Sequence, residues 1–355
     1  MKKDLLTSLQ DKPAGIAPTK ELAGGIQPTQ ESYTQQYLPI LHNAPTNELA
    51  AMSNAPITQR DDITKESIVD SGAVRLFIEE YAELLAPRCS VFKLFDMFCI
   101  ELAKANDYRS PKGAQNKTVN ISLDRYMELC GLDPANKPAK DKARRRVHED
   151  INFLYRFSLE WKDQKGGKYA DFRKQRICSS AQLHKGVISF TFADALADTL
   201  NSSFIGQYPV AIFRLDDRNK NTYPLARKIA MHACNDRNRE KGTAHILSVK
   251  TLLEACPDIP SYEKVGEKSR AFTQKIREPL EKALDALEEF TAWEYCNSKG
   301  APLTEEQLEA KDWNTYSGLL VKFTFREELD HSARLARKEA RISKRSTRAK
   351  KKPAR

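Results

Sequence analysis

Apolar residues along this chain follow two different spacings, and the changes between them mark out the elements. Val74, Phe77, Ile78, Tyr81, Leu84 and Leu85 recur at i, i+3, i+4 and i+7, which predicts an amphipathic helix closed by Pro87. Phe92–Leu102 is apolar on most faces and predicts a central helix. Val119–Leu123 has the short apolar run of a strand, Asp124–Cys130 reads as a helix stopped by Gly131, and Lys140–Phe157 reads as a long helix. Leu159, Trp161, the Gly166-Gly167 turn and Tyr169 predict a hairpin, and Val187–Phe192 a further strand.

The same order then recurs. Ser122–Cys130 aligns with Ser248–Cys256 at an offset of 126 residues. Val147, Ile151, Leu154 and Phe157 align with Leu280, Leu284, Leu287 and Phe290 at an offset of 133, as do Phe190-Thr191-Phe192 and Phe323-Thr324-Phe325. One length difference in the loop between two helices reconciles the offsets. Agreement in order and spacing predicts an internal duplication, one unit over 72–200 and another over 208–330.

Residues 1–66 lack apolar periodicity and are rich in Pro, Thr, Gln, Asn and Ala, which predicts a disordered low-complexity region. Short motifs repeat there, such as Gly15–Glu21 against Gly25–Glu31 and Ala17–Ala23 against Ala44–Ala50. Its one sticky stretch is Gln36–Leu41.

Each repeated unit reads helix, strand, short helix, long helix, hairpin. That is the layout of a winged helix, in which the long helix enters the major groove and the hairpin touches phosphates beside it. The expected fold is therefore α+β, two tandem winged-helix domains between a disordered N-terminal region and a basic tail. With Val147 taken as the core direction at about 100° per residue, Ile151 and Leu154 point inward, Lys142, Arg145 and Asn152 point outward, and Arg146 lies on a flank. In the second unit Lys275 and Lys282 point outward. Arg and Asn read base edges and Lys favours phosphate, so Lys142, Arg144, Arg145, Arg146 and Asn152 are candidate DNA contacts, with Lys275, Arg277 and Lys282 in the second unit. The alternative is a solvated face held by i, i+4 pairs, because Glu149 follows Arg145, Asp150 follows Arg146 and Glu278 precedes Lys282. Pro279 is expected to start or kink the second long helix. Lys165 and Lys168 would sit on the first wing and Lys299 on the second.

Charge sharpens this picture at one end. The 355 residues carry 58 Lys and Arg against 48 Asp and Glu, and the whole excess lies in residues 331–355, with eleven basic residues and one acid. Residues 1–330 balance at 47 of each. The tail, disordered or helical, includes Arg345, Arg348, Lys350, Lys351 and Lys352, and would bind polyanions without regard to sequence and with a steep salt dependence. Seven scattered cysteines with no CxxC pair argue against a disulfide framework or zinc site and fit a reduced cytoplasm. No membrane span or signal peptide is expected, for want of a long apolar run or an apolar N-terminal region.

A duplicated winged helix of this size resembles the plasmid replication initiator (Rep) proteins that bind repeated origin sites. The residues that carry the resemblance are Ile121–Leu132 leading into Arg144–Phe157, with Tyr223–Ala230 and Ser248–Cys256 in the second unit. The resemblance implies origin recognition on double-stranded DNA, local duplex opening and recruitment of a host helicase or initiator proteins. It also implies repression of the protein's own promoter and a homodimer in which one unit serves partly for dimerisation. The long N-terminal extension and the basic tail depart from the compact form of that family.

Catalytic arrangements are sparse, and neither an enzyme nor a cofactor is expected. Of the six histidines no two are separated by one residue, so the His-x-His pair of a DNA nickase is absent. His331-Ser332-Ala333-Arg334 matches a recombinase HxxR by letters, but no tyrosine follows it. Gly166-Gly167-Lys168 lacks the upstream glycine of a phosphate-binding loop. Asp216-Asp217 could be part of a two-carboxylate metal site, as in primases or nucleases, but at the start of a helix ending near Cys234 they are expected to favour its dipole. Two rivals use the same modules: a transcriptional regulator, which would occupy one palindrome rather than direct repeats, and a scaffold, which would show no sequence preference.

Overall fold

The computed structural model describes residues 37–52, 59–61, 66–70, 74–79, 88–106, 116–163, 171–201, 203–265, 272–308 and 313–326. In chain order the first half holds β1 (Tyr37–His42), α1 (Ala44–Ala51), β2 (Gln59–Asp61), β3 (Glu66–Asp70), β4 (Val74–Glu79) and α2 (Cys89–Ala105). Then come β5 (Thr118–Ser122), α3 (Leu123–Leu129), α4 (Lys137–Tyr155), β6 (Phe157–Asp163), β7 (Asp171–Arg176), β8 (Cys178–His184), β9 (Val187–Phe192) and α5 (Asp194–Asn201). The second half holds β10 (Phe204–Pro209), α6 (Ala211–Arg214), α7 (Thr222–Ala233), α8 (Asp236–Glu240), β11 (Ile246–Ser248), α9 (Val249–Leu253) and α10 (Tyr262–Val265). A π-helical turn (Thr273–Arg277) runs into α11 (Glu278–Asp285), followed by β12 (Thr291–Cys296), α12 (Glu305–Leu308), α13 (Trp313–Gly318) and β13 (Leu320–Phe325).

The apolar helix α2 lies at the centre, with fourteen of its seventeen residues buried. Its Phe95 and Phe98 meet Phe190 and Phe192 of β9, and Phe98 stacks on Phe190 with ring centroids 4.4 Å apart. Strand β5 alternates exposed and buried residues and turns Val119 and Ile121 inward. The Ser122 hydroxyl accepts the Arg125 N–H at 3.1 Å, capping α3. Gly131, at φ +71°, ends α3: its N–H reaches Glu128 O at 3.0 Å and that of Leu132 reaches Met127 O at 2.8 Å. Asn136 then caps α4, whose Ala143, Val147, Ile151 and Leu154 face the core.

The second half repeats this plan bond for bond in places. Sheets β5-β9-β8 and β11-β13-β12 share the order first, last, middle. Ser248 caps α9 through the Thr251 N–H at 3.2 Å, as Ser122 caps α3. Leu123 donates to Gly186 O at 2.8 Å and Val249 to Leu319 O at 2.9 Å, preserving both sequence offsets. Phe157 and Phe290 are both buried, as are Phe190 and Phe323. The equal lengths between those pairs are used differently: β7 and β8 fill the first, α12 and α13 the second.

Three expectations fail here. Val74–Glu79 is a strand rather than helix: Leu76, Phe77 and Ile78 are all buried, and β4 pairs with β3 on one side and β6 on the other. A consecutive apolar run in a strand covered on both faces also satisfies an i, i+3, i+4 count; Tyr81, Leu84 and Leu85 lie outside the described residues. The β6–β7 hairpin, expected as the first wing, belongs to a separate five-stranded sheet, β2-β3-β4-β6-β7, and its tip with Lys165 and Lys168 lies outside the described residues. The hairpin that completes the sheet beside α4 is β8–β9.

The third concerns the segment read as disordered, which contains β1 and α1. Strand β1 pairs antiparallel with β10 from Tyr37↔Pro209 to His42↔Phe204, burying Leu38, Ile40 and Leu41. Asn43 and Thr46 cap α1 reciprocally, each backbone N–H reaching the other's side chain at 2.9 Å. The two halves share one core. At their junction Asp96 of α2 accepts Arg227 Nε of α7 at 2.9 Å and the Tyr223 hydroxyl at 2.8 Å, while Arg227 Nη1 donates to Asn47 of α1 at 2.9 Å. Among the described residues no helix is long and apolar enough to cross a membrane.

Candidate nucleic-acid interface

The outward face of α4 carries Lys142, Arg145, Glu149 and Asn152, all exposed and spaced three or four residues apart. The i, i+4 pairs that would make this an ordinary solvated face are not formed. Glu149 instead accepts Arg88 Nη2, at the start of α2, at 2.8 Å. Asp150 is fully buried, takes the Ser90 hydroxyl at 3.0 Å and lies 3.4 Å from Arg88. Burial outweighs those contacts and pushes its carboxyl up to about 6. Arg144, also exposed, stands 3.8 Å from Asp141, and among the described residues no carboxylate pairs with Lys142 or Arg145.

Arg146 is placed otherwise. It turns off the face to Asp217, which also takes Lys93 Nζ at 2.6 Å. Asp216 pairs with Arg218 at 2.6 Å, which holds its carboxyl down at about 2. Helix α7 starts only at Thr222, so Asp216 and Asp217 are loop carboxylates neutralised by cations rather than residues of its first turn.

Opposite α4, the β8–β9 hairpin closes through Lys185 (φ +47°) and Gly186 (φ +78°), a two-residue turn with positive φ at both positions. The Leu123–Gly186 bond fastens it beside the start of α3. Between Arg144, Arg145 and His148 on one side and Lys185 and Val187 on the other lies an open groove of about 950 Å³. Lys140 bridges to Asp124 at 2.5 Å along it. Lys185, His148 and Arg88 are the contributors that sequence reasoning passed over. Gly186 between two polar-apolar runs was the legible part of this hairpin, while Lys185 at positive φ is not a residue that sequence would place there, and the role of Arg88 exists only through its contact with α4.

The second unit brings fewer cations to the corresponding helix. Lys275 and Lys282 are exposed, and so is Lys299, in the turn closed by Gly300 at φ +77°. Arg277 bonds Glu281 at 2.9 Å and Leu308 O at 3.2 Å, and lies over the Tyr316 ring. Pro279 cannot donate the hydrogen bond an α-helix would require of it, and a π turn stands at Thr273–Arg277 just before it. Arg345, Arg348, Lys350, Lys351 and Lys352 lie outside the described residues.

No protein-family model matches this chain, and no curated protein matches it. Among solved structures, it aligns over 83% of its length with the whole of a chain from the crystal structure of the Pi initiator protein in complex with iteron DNA, at 14% identity and TM-score 0.48. It aligns over 80% of its length with 99% of a chain from the crystal structure of domains 2 and 3 of RctB, at 13% identity and TM-score 0.40.

Proposed function

We propose that this protein binds double-stranded DNA sequence-specifically as a plasmid-type replication initiator built from two tandem winged helices, without catalysis of its own. The observation that carries the reading is the groove of the first unit: Arg144 and Arg145 line it from a helix braced from behind, with Lys185 across from them on a short turn and Lys142 exposed on the same helix. A helix with unpaired cations beside a hairpin cation suits a major groove and its flanking phosphates. The repeated element order supplies a second, less basic reader, so the two units would contribute unequally. The tail would add affinity that ignores sequence.

In vitro selection of duplexes from a random library by the full chain, with competitor polyanion to suppress the tail, tests this reading. Truncation at residue 67 is unsuitable because it removes β1 and α1. An enriched motif occurring as direct repeats near the protein's own gene is the expected result. A single palindrome would favour a transcriptional regulator, and no enrichment would overturn sequence reading altogether.

A further inference from the structure

Resting on that reading of the groove, we infer that Glu149 is a specificity residue that recognises the exocyclic amine of a cytosine in the major groove. A carboxylate is out of place on a surface that only grips phosphates, yet Glu149 lies on the outward stripe of α4 and lines the groove beside Arg145. Four residues separate it from Arg145, so the two side chains lie about 40° apart around the helix and one turn apart along it. That is the geometry of a helical ion pair, which would cancel both. Arg88 prevents the cancellation. It holds Glu149 Oε2 at 2.8 Å from the other side, while among the described residues Oε1 accepts no hydrogen bond and Arg145 has no acidic partner.

The chemistry of the base edges selects the ligand. An ionised carboxylate only accepts hydrogen bonds. In the major groove, cytosine offers its amine without a neighbouring acceptor on the same base, whereas adenine sets the N7 acceptor beside its amine and would repel the second oxygen. Arg145, free to bond guanine O6 and N7, and Glu149, poised for cytosine N4, would read neighbouring base pairs along one stripe. From Lys142 to Asn152 that stripe spans about 15 Å, or roughly four base pairs. The ion pair with Arg88 is itself exposed, with 42% and 56% of the two side chains accessible, so it contributes little to stability and serves as a positioning contact.

The test is duplex selection by the full-length protein, run in parallel on wild type, Glu149→Ala, Glu149→Gln and Arg145→Ala, with thermal melts of each. Wild type should enrich a cytosine at a fixed offset from a guanine. Glu149→Ala should relax the cytosine preference about tenfold, leave the guanine and the melting temperature unchanged, and bind a scrambled duplex as tightly or more tightly. Glu149→Gln, which keeps an acceptor, should fall between. If Arg145→Ala loses the guanine while Glu149→Ala leaves every position unchanged, the groove stands as a DNA site and this inference fails. Uniform weakening at all positions with a lowered melting temperature would make Glu149 a structural partner of Arg88 and overturn it too. If wild type enriches no motif, the DNA reading itself falls, and this inference with it.

Discussion

Three consecutive arginines, alike in sequence, meet three different fates. Arg144 stands near Asp141, Arg145 faces the groove without an acidic partner among the described residues, and Arg146 is held by Asp217. On cognate DNA, Arg145→Ala should cost about 1–3 kcal/mol and relax one base position. A titration against single-base variants of the selected site checks it, and an equal loss on all sequences would make Arg145 a phosphate contact. Asp150 supplies a test independent of DNA. Its folded carboxyl sits at about 6 against 3.8 for the free group, so the folded state binds this proton more tightly than the unfolded one. The cost of its charge is absent below about pH 4, grows as pH rises toward 6 and is complete above that. Asp150→Asn should therefore gain on wild type by up to roughly 3 kcal/mol between pH 4 and pH 7. Denaturant melts across that window would show the difference, and a constant difference would mean that the carboxyl titrates normally.

At the scale of elements, the capped short helices are the sharpest sign of duplication. Ser122 and Ser248 close the same bond to the residue three positions on, each between a strand of its sheet and a helix. Ser122→Ala and Ser248→Ala should each cost about 1 kcal/mol. Chemical denaturation of the two variants would measure this, and a loss in only one would show that the units are not equivalent there. Strands β5 and β9 and helices α3 and α4 were legible because their periods are local properties of the sequence, whereas β8, β11 and β12 were not read from it. Which hairpin joins the sheet beside α4 was not legible, because two hairpins follow α4 and only the register Thr118–Ser122 against Val187–Thr191 decides which one completes it. Val74–Glu79 was misread for a related reason: burial on both faces of a strand erases the alternation that would identify it.

Over the whole molecule, the two halves are joined by a buried ion pair and by a strand from far upstream. Asp96 and Arg227 are 2% and 3% exposed. Arg227→Met alone should cost about 3–5 kcal/mol by leaving Asp96 charged and buried, while the double change with Asp96→Leu should cost much less. A double-mutant cycle by urea melts would separate the two, and a small cost for Arg227→Met alone would contradict the pairing. Removing residues 331–355 should weaken binding to every duplex alike and flatten the dependence of affinity on salt. Unequal losses among sequences would show that the tail takes part in recognition.

The sequence alone was enough to mark the central helix, the repeated strand–helix–helix order, the outward position of Lys142, Arg145 and Asn152, and the basic tail. All of these depend on spacing or charge within a short stretch of chain. The tertiary structure decided the rest. It drew Tyr37–Ala51 out of a low-complexity segment, since a strand whose partner is Phe204–Pro209 leaves little local trace. It took Arg146 and Arg277 away from the candidate interface and added Lys185 to it. It also turned Glu149 from an expected partner of Arg145 into one of Arg88, because an ion pair depends on which charges lie within reach, and that is settled only when α2 packs against α4.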